Sequence, residues 1–185
     1  MQFTYDTEEV LVMTAAVVNT TADSSRSRTD ELATLDHLES LLDANEYTGR
    51  RDRDTTELEE MRALRPELRH LWGLRRDDAV QQVNEILRDA GALPQLVRHG
   101  GGDWHLHATD SEAPLVTRVR VEVAMAFIDV IRADELQRLR LCAADDCNAV
   151  FVDLSRNRSK RYCDVGNCGN RMNVNAYRAR SAAAG

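Results

Sequence analysis

Residues 142–171 read CAADDCNAVFVDLSRNRSKRYCDVGNCGNR, and they contain every cysteine of the chain. Cys142 and Cys147 form one C-x4-C pair, Cys163 and Cys168 form another, and fifteen residues separate the two. Zinc takes four thiolates in a tetrahedron at about 2.3 Å, and two close pairs brought together by a hairpin supply that arrangement. The other readings are two disulfides or four free buried thiols. A bridge within C-x4-C is uncommon, and in a reducing compartment clustered cysteines more often bind metal. A catalytic zinc usually keeps only three protein ligands, so four cysteines point to one structural Zn2+.

Between the pairs, residues 148–153 have strand character and Ser155-Arg156-Asn157-Arg158-Ser159 reads as a turn. Arg161-Tyr162-Cys163 is expected to return as a second strand. From Cys168 to Arg180 the composition suits a helix that carries the last ligand near its start. The expected unit, residues 138–185, is a treble-clef-like or zinc-ribbon-like module with four cysteine ligands.

Upstream, residues 1–137 read as a mainly α body with a small β-hairpin, an α+β arrangement. Asp6 with Glu9 resembles a capping box for a helix running to about Val18. Residues 19–29 are a polar loop. Thr34 caps a helix with Leu35, Leu38, Leu41 and Leu42 on one face. Asp54 and Glu57 open a third helix, which Pro66 is expected to kink or split. A fourth runs from Asp78 to about Ala90 with Gly91 as its stop. The segments 95–99 and 103–108 flank Gly100-Gly101-Gly102 as a hairpin with Trp104 and Leu106 on one face. Pro114 starts the longest helix, where Val116, Val119, Val123, Phe127 and Val130 keep helical spacing.

Charge is uneven along the chain. Residues 138–185 hold nine basic and four acidic side chains, a balance of +5, against −12 for residues 1–137. A basic module on an acidic body is expected where one part meets a polyanion. Arg156, Arg158, Lys160 and Arg161 crowd the turn, while Arg171, Arg178 and Arg180 lie on the closing helix; these are the candidate nucleic-acid contacts. Arg171 is equally suited to bracing the zinc knuckle. Such a surface also suits RNA, an acidic protein partner, or the acidic body itself. No apolar run reaches the roughly 18 residues of a membrane span, and the N-terminus lacks a basic segment before its short apolar stretch, so a cytoplasmic setting without membrane contact is expected.

Cys168-Gly169-Asn170-Arg171 spells the motif of the CGNR zinc-finger proteins of bacteria, and the pattern from Leu139 through Phe151, Asp153–Asn157 and Tyr162-Cys163 is similar to that family along the whole module. Val18-Asn19-Thr20 and Asp30-Glu31-Leu32-Ala33-Thr34 resemble the VNT and DELAT segments of the ABATE domain that accompanies this finger. The resemblance implies a transcription regulator, often described as stress-induced, with the four cysteines on zinc and the finger meeting DNA. Regulators often pair to read symmetric sites, so a homodimer is a further expectation.

A second function class fits the same residues: a sensor for a small ligand whose zinc module docks protein or RNA rather than DNA. Asn19, Thr20, Arg26, Arg28 and Trp104 are its candidate pocket residues. The plainer assignment ends the first helix at Asn19-Thr20 and puts Trp104 in the core. His105 and His107, two apart on one strand face, are compatible with a second metal site or with exposed hairpin histidines. No nucleophile–base pair, carboxylate dyad or phosphate-binding glycine loop is present, which argues against an enzyme.

Overall fold

The computed structural model describes residues 3–98 and 104–183. The expected glycine turn at 100–102 lies outside them. Six helices and two antiparallel hairpins follow in the order α1 (Tyr5–Val18), α2 (Leu35–Ala44), α3 (Thr55–Trp72), α4 (Arg76–Asp89), β1 (Gln95–Val97), β2 (His105–His107), α5 (Leu115–Arg132), β3 (Leu139–Leu141), β4 (Val150–Val152) and α6 (Cys168–Ala183). A short 3-10 turn, Leu136–Arg138, leads from the body into β3.

Local chemistry sets the helix ends. Thr4 rather than Asp6 caps α1, its hydroxyl accepting the Thr7 amide, so that helix starts earlier than the acidic pair suggests. Thr34 caps α2. Asp54 accepts the Glu57 amide, and the Glu57 carboxylate accepts the amides of Asp52 and Arg53 in return, both at 3.0 Å. After α4, Gly91 takes φ +57°; its amide donates to Arg88 and that of Ala92 to Leu87, the two closing bonds of a Schellman motif.

Pro66 does not split α3, which runs unbroken through it and equals α5 in length at 18 residues. Proline deprives the Arg62 carbonyl of its amide partner, and the Arg65 Nε donates to that carbonyl instead, at 3.3 Å. Leu58, Met61, Leu64, Leu68 and Leu71 are buried on both sides of the proline, so packing holds the helix across it.

α5 is the centre of the body, with α1, α3 and α4 packed against it. Its buried Val119, Val123, Phe127 and Val130 meet the inner faces of those helices, and Trp72 sets its ring edge-on to Phe127, centroids 6.1 Å apart. The same core continues into the cysteine-bearing region through Leu139, Val150 and Val152. The two parts predicted as residues 1–137 and 138–185 therefore share one apolar interior.

In β1–β2, Leu96 lies opposite Leu106. Trp104 does not enter the core: it is exposed beside the hairpin, as are Leu96 and Leu106. Beneath, α5 presents Glu122 to Tyr47, Arg118, His105 and His107. Burial raises the Glu122 carboxyl to about 7, against the counteracting pull of Tyr47, Arg118 and His105. A carboxyl that holds its proton more tightly folded than unfolded stabilises the fold below its unfolded value and loses that contribution as pH rises. Stability is thus expected to fall between about pH 4.5 and pH 7, by on the order of 3 kcal/mol from this group. Urea midpoints measured across that range should flatten in Glu122→Gln.

Candidate metal centre

β4 organises the site because both of its faces are covered. Val150 and Val152 point into the body core, and Phe151 between them packs into a second, small core with Cys142, Ala144, Ala149, Cys163 and Cys168. The alternation of a strand carries one three-residue segment into two interiors. β4 pairs with β3, Leu139 opposite Val152 and Leu141 opposite Val150. The expected second strand at 161–163 does not form. That segment is tied back by hydrogen bonds from Ala143 N–H to the Arg161 carbonyl at 2.9 Å and from Cys163 N–H to the Cys142 sulfur at 3.4 Å, while β4 pairs with β3 along one edge.

The other edge of β4 is closed by a side chain. Asn19, the residue that ends α1, donates from Nδ2 to the Val150 carbonyl and accepts the Val150 amide at Oδ1, both at 2.8 Å. Its amide stands in for a neighbouring strand. Trp72 Nε1 donates to the Phe151 carbonyl at 3.3 Å, and Arg69 donates to that of Asn148. Arg65 joins the VNT and DELAT segments: it clasps Asp30 at 2.8 and 2.9 Å and donates to the Thr20 hydroxyl at 3.0 Å. The two motifs thus build the seat on which the module sits.

The four cysteine sulfurs lie within 4.8 Å of one another, three of the residues buried and Cys147 half-buried. Sulfurs of Cys147 and Cys163 are 3.7 Å apart, and those of Cys163 and Cys168 are 3.6 Å apart. Disulfide sulfurs stand at about 2.05 Å. Four sulfurs at about 2.3 Å from one zinc stand about 3.8 Å from each other, so the cluster has the size of a Zn2+ tetrahedron. Four cysteines with no water-facing histidine or carboxylate make a soft, closed donor set that fits one structural zinc.

Local features support the sulfurs. Cys168 is the first residue of α6, where the helix dipole favours a thiolate. Gly166 lies so close that a Cβ there would stand 3.2 Å from the Cys168 sulfur. Arg171 donates to the same sulfur from Nη2 at 3.1 Å and also binds Asp146. Burial pushes the Cys163 and Cys147 thiols up. At Cys168 burial also acts upward, but the Arg171 hydrogen bond and the neighbouring thiols outweigh it and hold the group below an ordinary thiol. Within the CGNR motif, then, Cys168 is a ligand, Gly169 lies beside the Tyr162 ring, Asn170 is exposed, and Arg171 braces the site.

The basic residues separate into two groups. Arg158 pairs with Glu135 at 2.8 Å, Lys160 with Asp164 at 2.6 Å, and Arg171 with Asp146. Arg156, Arg161, Arg178 and Arg180 are exposed, and no ion pair is found for them among the described residues. Sequence reasoning missed Arg138 and Asp153. Arg138 is fully buried, pairs with Glu135 at 2.9 Å, and donates to the carbonyls of Asp153 and Ser155. Asp153, also buried, accepts the amides of Ser155 and Lys160 and so shapes the basic turn.

Of the candidate ligand residues, Asn19 and Thr20 are buried in the seat described above. Arg26 and Arg28 line a cleft of about 270 Å3 between the 24–28 loop and the module, where Cys147, Cys168 and Arg171 form the opposite wall. Arg28 also donates to the Asp146 carbonyl at 2.7 Å. Trp104 does not line it.

Fold and site together define a helical body carrying a closed four-cysteine zinc finger at its C-terminal end. Comparison with protein-family models matches residues 138–181 to the CGNR zinc finger and residues 14–134 to ABATE, described as a putative stress-induced transcription regulator. The chain belongs to the ABATE family, with a CGNR zinc finger following the ABATE domain. A search of curated proteins finds no match. Among the described residues no helix is long and apolar enough to cross a membrane.

Proposed function

We propose that the protein is a non-enzymatic, zinc-dependent DNA-binding regulator in which the ABATE body holds the finger in a fixed attitude and α6 meets the nucleic acid. One observation carries this reading. From Asn173 to Ala182 every residue of α6 is exposed, and the helix contains three arginines, three asparagines and no acidic residue. This exposed stretch also carries Val174 and Tyr177, so it offers a partner cations, amides and a small apolar surface together. Its cations suit phosphates, and Asn173, Asn175 and Tyr177 add neutral groups suited to sugar and base edges.

Counterion release turns this into a number. With Arg156, Arg161, Arg178 and Arg180 as the cations not already ion-paired, log K is expected to fall with log salt at a slope of roughly −4. The double variant Arg178→Ala/Arg180→Ala should reduce that slope to roughly −2. Fluorescence anisotropy on genomic fragments at several salt concentrations measures both. An affinity indifferent to salt rejects the proposal.

The cleft beside Arg26 and Arg28 favours a second reading, a small-ligand sensor whose zinc module docks protein or RNA. In that case thermal shifts with anionic metabolites should depend on Arg26 while no DNA fragment binds.

A further inference from the structure

The hairpin β1–β2 covers a cluster of polar side chains that neither the finger nor the proposed DNA contact uses. His105 and His107 are alternate residues of β2 and project to the same, half-buried side, while Leu106 between them is exposed. Their ring centroids are 5.0 Å apart at an inclination of 55°, and their Nε2 atoms approach to 3.1 Å. Two imidazole nitrogens bound to one ion at about 2.0–2.1 Å stand about 2.9–3.4 Å apart for angles between square-planar and tetrahedral. The observed separation lies inside that range.

The far side of His107 is also arranged. Its Nδ1 faces the Glu122 Oε1 across 3.7 Å, within ion-pair reach though longer than a hydrogen bond, and Glu122 is half-buried on α5 beside Tyr47 and Arg118. A carboxylate behind a ligating imidazole keeps the proton on Nδ1 and leaves the Nε2 lone pair for the metal. α5 is packed into the core of the body, so this carboxylate is held by the central helix of the fold.

From this geometry we infer that His105 and His107 bind one divalent transition-metal ion through their Nε2 atoms, with Glu122 as the positioning carboxylate and water in the remaining positions. Imidazole donors select Ni2+, Cu2+ and Zn2+ over Mg2+ and Ca2+. Two protein ligands leave the ion exchangeable, in contrast to the closed four-cysteine centre. Binding replaces the contact between the two rings with two metal bonds.

The test uses the full chain, free of affinity tags and carrying one zinc per molecule, titrated with Ni2+ alone. Calorimetry is expected to show one further equivalent bound with the zinc retained, and the imidazole NMR signals of His105 and His107 should broaden while those of His37 and His70 persist. His107→Ala is expected to weaken Ni2+ at least about tenfold, and Glu122→Gln, which keeps both ligands, by about tenfold. Far-UV circular dichroism establishes that each variant is folded. No further equivalent of Ni2+, or equal Ni2+ affinity in the folded double variant His105→Ala/His107→Ala, overturns the assignment.

Discussion

Asn19→Leu is expected to destabilise the protein by about 2–4 kcal/mol and to loosen the finger from the body. Leucine has the same branching as asparagine and is bulkier, so the change leaves no cavity, but it strands the amide and the carbonyl of Val150 in a buried setting. Each unsatisfied buried polar group costs about 1–3 kcal/mol. For a chain of this length that corresponds to a drop in Tm of roughly 6–12 °C at about 3 kcal/mol. Hydrogen exchange locates the effect: the β3–β4 amides should lose protection by a larger factor than those of α3 and α5. A variant as stable as the parent would mean that the Asn19 side chain does not hold β4.

The second large effect is expected from Cys163→Ser. The core around the cysteines is small, six buried residues with Tyr162, Val165 and Met172 at its margin. An interior of that size does not stabilise a fold alone, whereas structural zinc supplies about 10–16 kcal/mol in zinc-finger peptides. Loss of one thiolate should therefore release residues 142–147 and 161–183, and α6 should unravel because beyond Met172 it rests on nothing else. The body should remain folded, since its core is formed mostly by α1, α3, α4 and α5. Far-UV circular dichroism should show the loss of about one helix of 16 residues, and proteolysis should trim the C-terminal region to near β4.

Much of this architecture is written locally. The cysteine spacing identifies the metal centre, threonine and aspartate caps mark the starts of α2 and α3, and the apolar period of α5 marks the central helix. The departures each have a physical origin. Pro66 looks like a break because propensity takes no account of the Arg65 guanidinium that replaces the lost donor, or of the leucines that pack across it. The return at 161–163 looks like a strand, but β4 pairs with β3, a pairing only partly visible in the residues themselves. Counting charges overstates the basic surface: Arg138 is spent inside the fold, and Arg158, Lys160 and Arg171 are paired with acids.

The seat of the finger was the least legible feature. Asn19 ends a helix, and nothing near it in the chain says that its side chain completes a strand 131 residues away. A faint signal exists in Val150-Phe151-Val152, which is apolar at every position and therefore belongs to a strand covered on both faces. That reading alone would have shown that the finger is not a freely tethered module.

Metal analysis of freshly purified, reduced protein tests the central claim most directly. Elemental analysis together with titration of accessible thiols is expected to give one zinc per chain and four thiols protected until a chelator is added, with α6 helicity lost on chelation. Protein that contains no stoichiometric zinc, or that keeps α6 intact after complete chelation, would contradict the account.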